Sequence, residues 1–223
     1  MSLPSVHPQL ARYPIQLPLL YWRRSEARTR AGAGWTRELS EEGATVELAD
    51  RFEPQTVLRI RLQTDRSPIA MEAKIAWIVA ATPSGPENYH GLTITQIAPD
   101  QLQALRDLLL PLSMVVHAGM RLSFNVAVTC RSKGSGGPVL RGQTGEVSRG
   151  GLLLHLPQPI APGTTLEVTL QTDGGPLSLE GAIVWAQPSE TRKAGELIDH
   201  GLQFTSTPWA VSLALGFLLT GKS

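Results

Sequence analysis

The chain has one cysteine in 223 residues, Cys130, so an intramolecular disulfide is excluded. A small apolar filler at a strand end is the role expected of it. No apolar run approaches the roughly 20 residues that a membrane helix needs. The last such run, over 209–219, is short and carries Ser212 and Gly216. The N-terminus lacks the basic-then-apolar order of a secretory signal. These absences lead us to expect a soluble, cytoplasmic protein. An excess of charge is missing too, with 20 Lys and Arg against 19 Asp and Glu and a net charge of +1. That argues against a general nucleic-acid binder, but leaves room for a small anion held by a few arginines. There is no Gly-x-Ser-x-Gly, no His-Glu-x-x-His and no P-loop, and neither His90 nor His200 has a second ligand at chelating spacing. Neither an enzyme nor a metal site is expected.

What the chain does have is a repeat. Gly145-Glu146-Val147-Ser148-Arg149-Gly150-Gly151-Leu152 echoes Arg37-Glu38-Leu39-Ser40-Glu41-Glu42-Gly43-Ala44. Glu38 returns as Glu146, Ser40 as Ser148 and Gly43 as Gly151, a constant offset of 108. Leu62-Gln63-Thr64-Asp65 returns as Leu170-Gln171-Thr172-Asp173 at the same offset, as do Pro68, Glu72, Ile75 and Trp77 at Pro176, Glu180, Ile183 and Trp185. His90-Gly91-Leu92 returns as His200-Gly201-Leu202, and Arg12 as Arg121. Agreement over almost a whole half-chain means a tandem duplication. The units expected are residues 1–113 and 114–223, each of ordinary small-domain size.

Each unit reads as mainly β. Leu58, Ile60 and Leu62 alternate with Arg59, Arg61 and Gln63, as on a strand with one buried face. In the first unit strands are expected over 15–22, 35–39, 44–48, 58–62, 69–78 and 91–95, with Pro18 marking an edge or a bulge. The second unit repeats them over 122–130, 139–147, 152–156, 165–171, 177–185 and 201–204. Trp77 and Trp185 are expected in the cores. A helix over 99–110 has Leu102, Leu105, Leu108 and Leu109 at helical spacing and Asp100 where a carboxylate suits the dipole. A second helix is expected over 209–219. Short strands with frequent turns indicate small antiparallel barrels or sandwiches; a barrel with one C-terminal helix is the reading for each half. In each half a histidine, His90 or His200, precedes the closing-strand glycine, and a structural or turn role is expected of it. The Ser-x-x-Gly motif is also good turn chemistry, with Ser capping locally and Gly taking positive φ.

These residues carry a family likeness. Each half resembles a PilZ domain, the bacterial module that binds cyclic di-GMP. In that family an Arg-x-x-x-Arg segment precedes the first strand, and an Asp/Asn-x-Ser-x-x-Gly motif follows the first hairpin. A Val-x-Trp strand and a Gly-x-x-Phe strand come later. Here the second half supplies Gly145 to Leu156, Ile183-Val184-Trp185 and Gly201-Leu202-Gln203-Phe204. The first half supplies Glu38 to Gly43, Ile75-Ala76-Trp77 and Gly91-Leu92-Thr93-Ile94. The resemblance implies two tandem antiparallel β-barrels, each with a C-terminal α-helix. It also implies that the arginines hold phosphates and stack on guanine, while the motif's carboxylate and serine contact guanine.

By the same resemblance the ligand residues are Arg12, Glu38, Ser40 and Gly43 in the first unit, and His117, Arg121, Glu146, Ser148 and Gly151 in the second. Both sets depart from the family pattern. Pro8 stands where the first arginine of the first unit belongs, and His117 where that of the second belongs. Glu replaces Asp or Asn in both motifs. Pro8 offers no charge, whereas His117 can stack and can carry charge when protonated. The second site is therefore the better one, and its affinity is expected to weaken from about pH 6 to 8 as His117 loses its proton. Arg24-Ser25-Glu26-Ala27-Arg28 is a literal Arg-x-x-x-Arg, but it follows the first strand. It reads as a solvated loop, with contact to a ligand at the barrel mouth as the second reading. Two functions stand side by side. One is a cyclic di-GMP receptor that signals through an unknown protein partner. The other is a degenerate adaptor that binds no nucleotide and acts in motility, pilus or envelope regulation.

Overall fold

The structure, a computed structural model, describes residues 12–24, 30–79, 89–110, 120–134, 138–188 and 195–221. It has two compact units, each with a closed antiparallel barrel and one helix after it. The first has β1 (Pro18–Arg23), β2 (Gly32–Leu39), β3 (Gly43–Leu48), β4 (Val57–Leu62), β5 (Ile69–Val79) and β6 (Tyr89–Ile97), followed by α1 (Pro99–Leu109). They close in the order β1-β2-β3-β6-β5-β4. The second has a two-residue strand, β7 (Leu122–Ser123), then β8 (Ala127–Ser132), β9 (Leu140–Ser148), β10 (Gly151–Leu156), β11 (Thr165–Thr172), β12 (Gly175–Ala186) and β13 (Ile198–Ser206), and last α2 (Trp209–Thr220). Pairing of β9 with β10 closes this ring in the same order. β7 lies on β9 through Leu122 and Val147, where the first unit has the single bridge of Tyr13 with Leu39. Closure leaves no long sheet edge in either barrel.

The alternation sets the interior. Leu58, Ile60 and Leu62 on β4 are buried, as are Leu166, Val168 and Leu170 on β11. Helix α1 starts with Pro99, whose missing N–H costs nothing at a helix start, and buries Leu105 and Leu109. Cys130 lies inside β8, not at a strand end as expected, and is 1% exposed. Burial pushes its thiol up to about 12, which suits a filler and not a reactive group.

The first apolar run of each unit is not one continuous strand. The 15–22 run joins the ladder only at Pro18, and the 122–130 run breaks into β7 and β8. One threonine per unit causes this. Thr36 Oγ1 donates to the Ile15 carbonyl at 2.5 Å and accepts the Leu17 N–H at 2.9 Å. Thr144 Oγ1 donates to the Phe124 carbonyl and accepts the Val126 N–H at 3.0 Å. The hydroxyl takes the place of a ladder rung, so the chain can peel away from the barrel without stranding buried polar groups. Pro18 then fits at the first strand position, where it has no rung to give.

Trp77 and Trp185 are not in the cores. They are 41% and 40% exposed. A register shift between Ile75 and Trp77 on β5, and between Ile183 and Trp185 on β12, breaks the in-out alternation and turns both indoles outward. Each ring lies across a glycine of the neighbouring strand. A Cβ on Gly91 would come within 2.0 Å of the Trp77 ring, and one on Gly201 within 2.0 Å of the Trp185 ring.

His90 and His200 have a structural role, as expected. Both are fully buried. His90 Nε2 accepts the Phe52 N–H, and His200 Nε2 accepts the Ile160 N–H, each at 3.1 Å. His200 Nδ1 donates to the Ile198 carbonyl at 2.9 Å. Burial lowers the His200 pKa below 6.5, against the opposing pull of that carbonyl. The unfolded chain therefore takes up a proton first as pH falls, and stability drops below about pH 6.5. Thermal unfolding followed from about pH 7.5 to 5 should show a steeper fall in Tm for the parent than for His200→Gln. Equal slopes would exclude His200 as the source.

Candidate functional site

The Glu-x-Ser-x-x-Gly motifs form the β2–β3 and β9–β10 turns. In the first unit Ser40 is 3% exposed. Its Oγ donates to the Gly43 carbonyl at 3.1 Å and accepts the Gly43 N–H at 3.2 Å. Neither motif glycine takes the positive φ expected of it. They are needed because the closing strand passes too near: a Cβ on Gly43 would come 2.1 Å from the Leu92 carbonyl oxygen, and one on Gly151 2.3 Å from that of Leu202. Serine and glycine are thus both explained by turn closure.

The paired N–H to carbonyl bonds of Tyr13 and Leu39, 2.9 and 3.0 Å, bring Arg12 beside this turn. Arg12 Nη1 lies 3.9 Å from Glu38 Oε2, with the side chains 51% and 48% exposed. Glu38 also accepts the Thr45 hydroxyl at 3.2 Å. Next in the turn, Glu41 Oε2 meets Arg106 Nε of α1 at 2.8 Å. So Arg12, Glu38, Ser40 and Gly43 do come together, but Glu41 and Glu42 add two more carboxylates.

The second turn has the same frame and different chemistry. β7 places Ser123 opposite Glu146 and so sets the exposed Arg121 beside the turn. Among the described residues neither Arg121 nor Glu146 has a side-chain hydrogen bond or ion pair. Ser148 is half-buried and donates to the Gly151 carbonyl at 3.3 Å. Arg149 stands where the first unit has Glu41, with its guanidinium 5.9 Å from the centre of the Trp209 ring at the start of α2. The Arg149 side chain is half-buried, with its Nη1 atom buried. Nearby, His155 Nδ1 and Asp199 Oδ1 are 2.7 Å apart, and the imidazole lies over Gly145, next to Glu146.

Arg149 and the His155–Asp199 pair were not singled out from the sequence. Arg149 occupies an unspecified position of the motif, and comparing the two turns position by position is the signal that finds it. Pro8, His117 and Arg28 lie outside the described residues. Arg24 pairs with Glu72 at 3.1 Å. Among the described residues no cluster of three His, Cys, Asp or Glu side chains could hold a metal ion.

The PilZ domain family model matches residues 21–110 and 119–210. The chain belongs to the PilZ domain family, with two tandem copies; the family is one of cyclic di-GMP receptors. Among curated protein sequences none matches. Three solved structures show the range of likeness. The PlzA protein of Borreliella burgdorferi, solved with c-di-GMP, is 13% identical, with 92% of this chain and 88% of that chain covered and a TM-score of 0.38. YcgR of Escherichia coli, also solved with c-di-GMP, is 10% identical, with 92% and 83% covered and a TM-score of 0.39. The Bacillus subtilis inhibitor of motility, MotI/DgrA, is 11% identical, with 94% and 96% covered and a TM-score of 0.39. Family membership rests on the two domain matches, not on these distant likenesses.

Proposed function

We propose that the protein is a cyclic di-GMP receptor that acts through protein contacts and holds the nucleotide mainly on its second unit. The observation that carries this reading is the exchange at the fourth and fifth motif positions, Glu41 and Glu42 against Arg149 and Gly150. The second turn carries Arg149 and has Arg121 set beside it by the β7–β9 register, whereas the first carries Glu41 and Glu42 and sets Arg12 against Glu38. A phosphodiester dianion is drawn to the arginines of the second turn and repelled by the carboxylates of the first. The closed hydroxyl of Ser40 and the half-buried Ser148 point the same way.

Support for protein contacts comes from α2. It is apolar on nearly every face, yet Phe217 is 41% exposed, and Val211, Leu213 and Leu218 are half-buried. A helix of that composition ordinarily lies buried.

Calorimetric titration of the full chain with cyclic di-GMP at low salt tests the receptor reading. We expect micromolar or tighter binding, and about tenfold tighter binding for His117→Arg, which restores the second guanidinium. Silence from both proteins would overturn it and leave the adaptor reading.

A further inference from the structure

We propose that the first unit holds a second anion site at the end of its barrel opposite the motif turn, built for a small ligand with phosphate groups. An open cleft of about 410 Å³ lies there, lined by Tyr21, Trp22, Arg23, Arg30, Asp50, Arg51 and Phe52. Its size is that of a small-molecule site. Three arginines face one carboxylate in a chain whose overall charge is only +1. Local excess in a nearly neutral protein marks a place, not a generally basic surface.

The cleft is held in shape from several sides. Tyr21 Oη donates to Asp50 Oδ2 at 2.8 Å and accepts the Asp50 N–H at 2.9 Å. The Asp50 carboxylate is thus fixed at the cleft wall by a hydroxyl hydrogen bond and keeps its single negative charge against the three arginines. The Ala49 N–H bonds to the Ala33 carbonyl at 3.0 Å, and the Phe52 N–H to His90 Nε2 at 3.1 Å. Arg51 therefore projects from a backbone pinned on both sides. The guanidinium of Arg23 lies 5.1 Å from the centre of the Phe52 ring. Stacked and pinned arginines lose less freedom on binding, and their planar forks match phosphate oxygens.

The second barrel serves as an internal control. It keeps the same loop geometry, with Ile160 N–H on His200 Nε2 where the first has Phe52 N–H on His90. By strand register Cys130 and Ser132 replace Tyr21 and Arg23, since they face Val168 and Leu166 as Tyr21 and Arg23 face Ile60 and Leu58. At the repeat offset Gln158 and Pro159 replace Asp50 and Arg51. The barrel folds without any of the cleft's charged groups, so the fold does not require them. A small phosphate ligand is favoured over an acidic protein segment because the charge is gathered in one concavity instead of spread along a surface.

The test is calorimetric titration of the full chain at low salt with inorganic pyrophosphate, and separately with hexaglutamate. Pyrophosphate should bind. Arg51→Ala should weaken it at least tenfold, Arg30→Ala severalfold, and Arg121→Ala less than twofold, with thermal unfolding of each variant matching the parent. Arg51 and Arg30 are exposed, so both variants should fold. Three results overturn the proposal: no binding of pyrophosphate by the parent, binding lost in Arg121→Ala but kept in Arg51→Ala, or hexaglutamate bound more tightly than pyrophosphate. The last would make the cleft a docking surface for an acidic protein segment. Because the site lies on the first unit, these outcomes are separate from those of the cyclic di-GMP titration.

Discussion

Arg121→Ala should weaken cyclic di-GMP binding by tenfold to a hundredfold, and Arg121→Ala with Arg149→Ala should bring it below detection. A hydrogen bond to a charged group contributes about 1.5–3 kcal/mol, and each 1.4 kcal/mol is roughly tenfold. Two guanidinium groups set beside one turn act on the same ligand charges, so the second loss falls on an already weak complex. Arg12→Ala in the first unit should change affinity less than twofold, because Arg12 sits among Glu38, Glu41 and Glu42. The reverse change is as informative. Glu41→Arg with Glu42→Gly gives the first turn the sequence of the second at those positions. It sacrifices only the exposed pair with Arg106, which is worth at most about 1 kcal/mol. Isothermal titration and salt dependence read all four proteins. Unaltered binding by the double Arg121/Arg149 variant would sink the assignment to the second unit.

Much of this was legible in the sequence because it rests on periodicity. The constant offset of the two halves gave the duplication, and alternation gave β4 and β11 with their buried faces. Helical spacing gave α1, and the Pro and Gly positions gave the turns. What stayed hidden rests on single residues and on pairing. Trp77 reads as a core residue as long as alternation is carried through Ile75, and nothing local announces the register shift that turns it outward. Thr36 and Thr144 carry no periodic signal, since a hydroxyl that replaces a ladder rung looks like any strand threonine. The cleft needs β3 to deliver Asp50, Arg51 and Phe52 to the end of β1, a neighbourhood that only the strand order creates. Arg149 occupies an unspecified position of the Glu-x-Ser-x-x-Gly motif, so the motif itself carries no signal for it. Comparing the copies shows that the same position contacts the following helix in both, as Glu41 on Arg106 and as Arg149 on Trp209.

The larger effect on stability belongs to Thr36. Thr36→Val should destabilise the first unit by about 2–4 kcal/mol, while Thr36→Ser should cost about 1 kcal/mol or less. Valine matches threonine in shape, so the packing around this fully buried position is kept. What disappears is the donor to the Ile15 carbonyl and the acceptor for the Leu17 N–H, at a place where Ile15 and Leu17 are 1% and 0% exposed. Both groups are left without water and without a partner, and each costs about 1–3 kcal/mol. Serine restores the hydroxyl and loses one methyl. For a unit of this size each kcal/mol moves Tm by roughly 4–8 °C. Hydrogen exchange read by peptide should speed up in β1 to β6 for Thr36→Val, and in β8 to β13 for Thr144→Val, whose hydroxyl makes the same two bonds. If Thr36→Val unfolds within about 0.5 kcal/mol of the parent, the hydroxyl is incidental and the late start of β1 has another cause. If serine fails as valine does, the methyl and its packing matter, not the two hydrogen bonds.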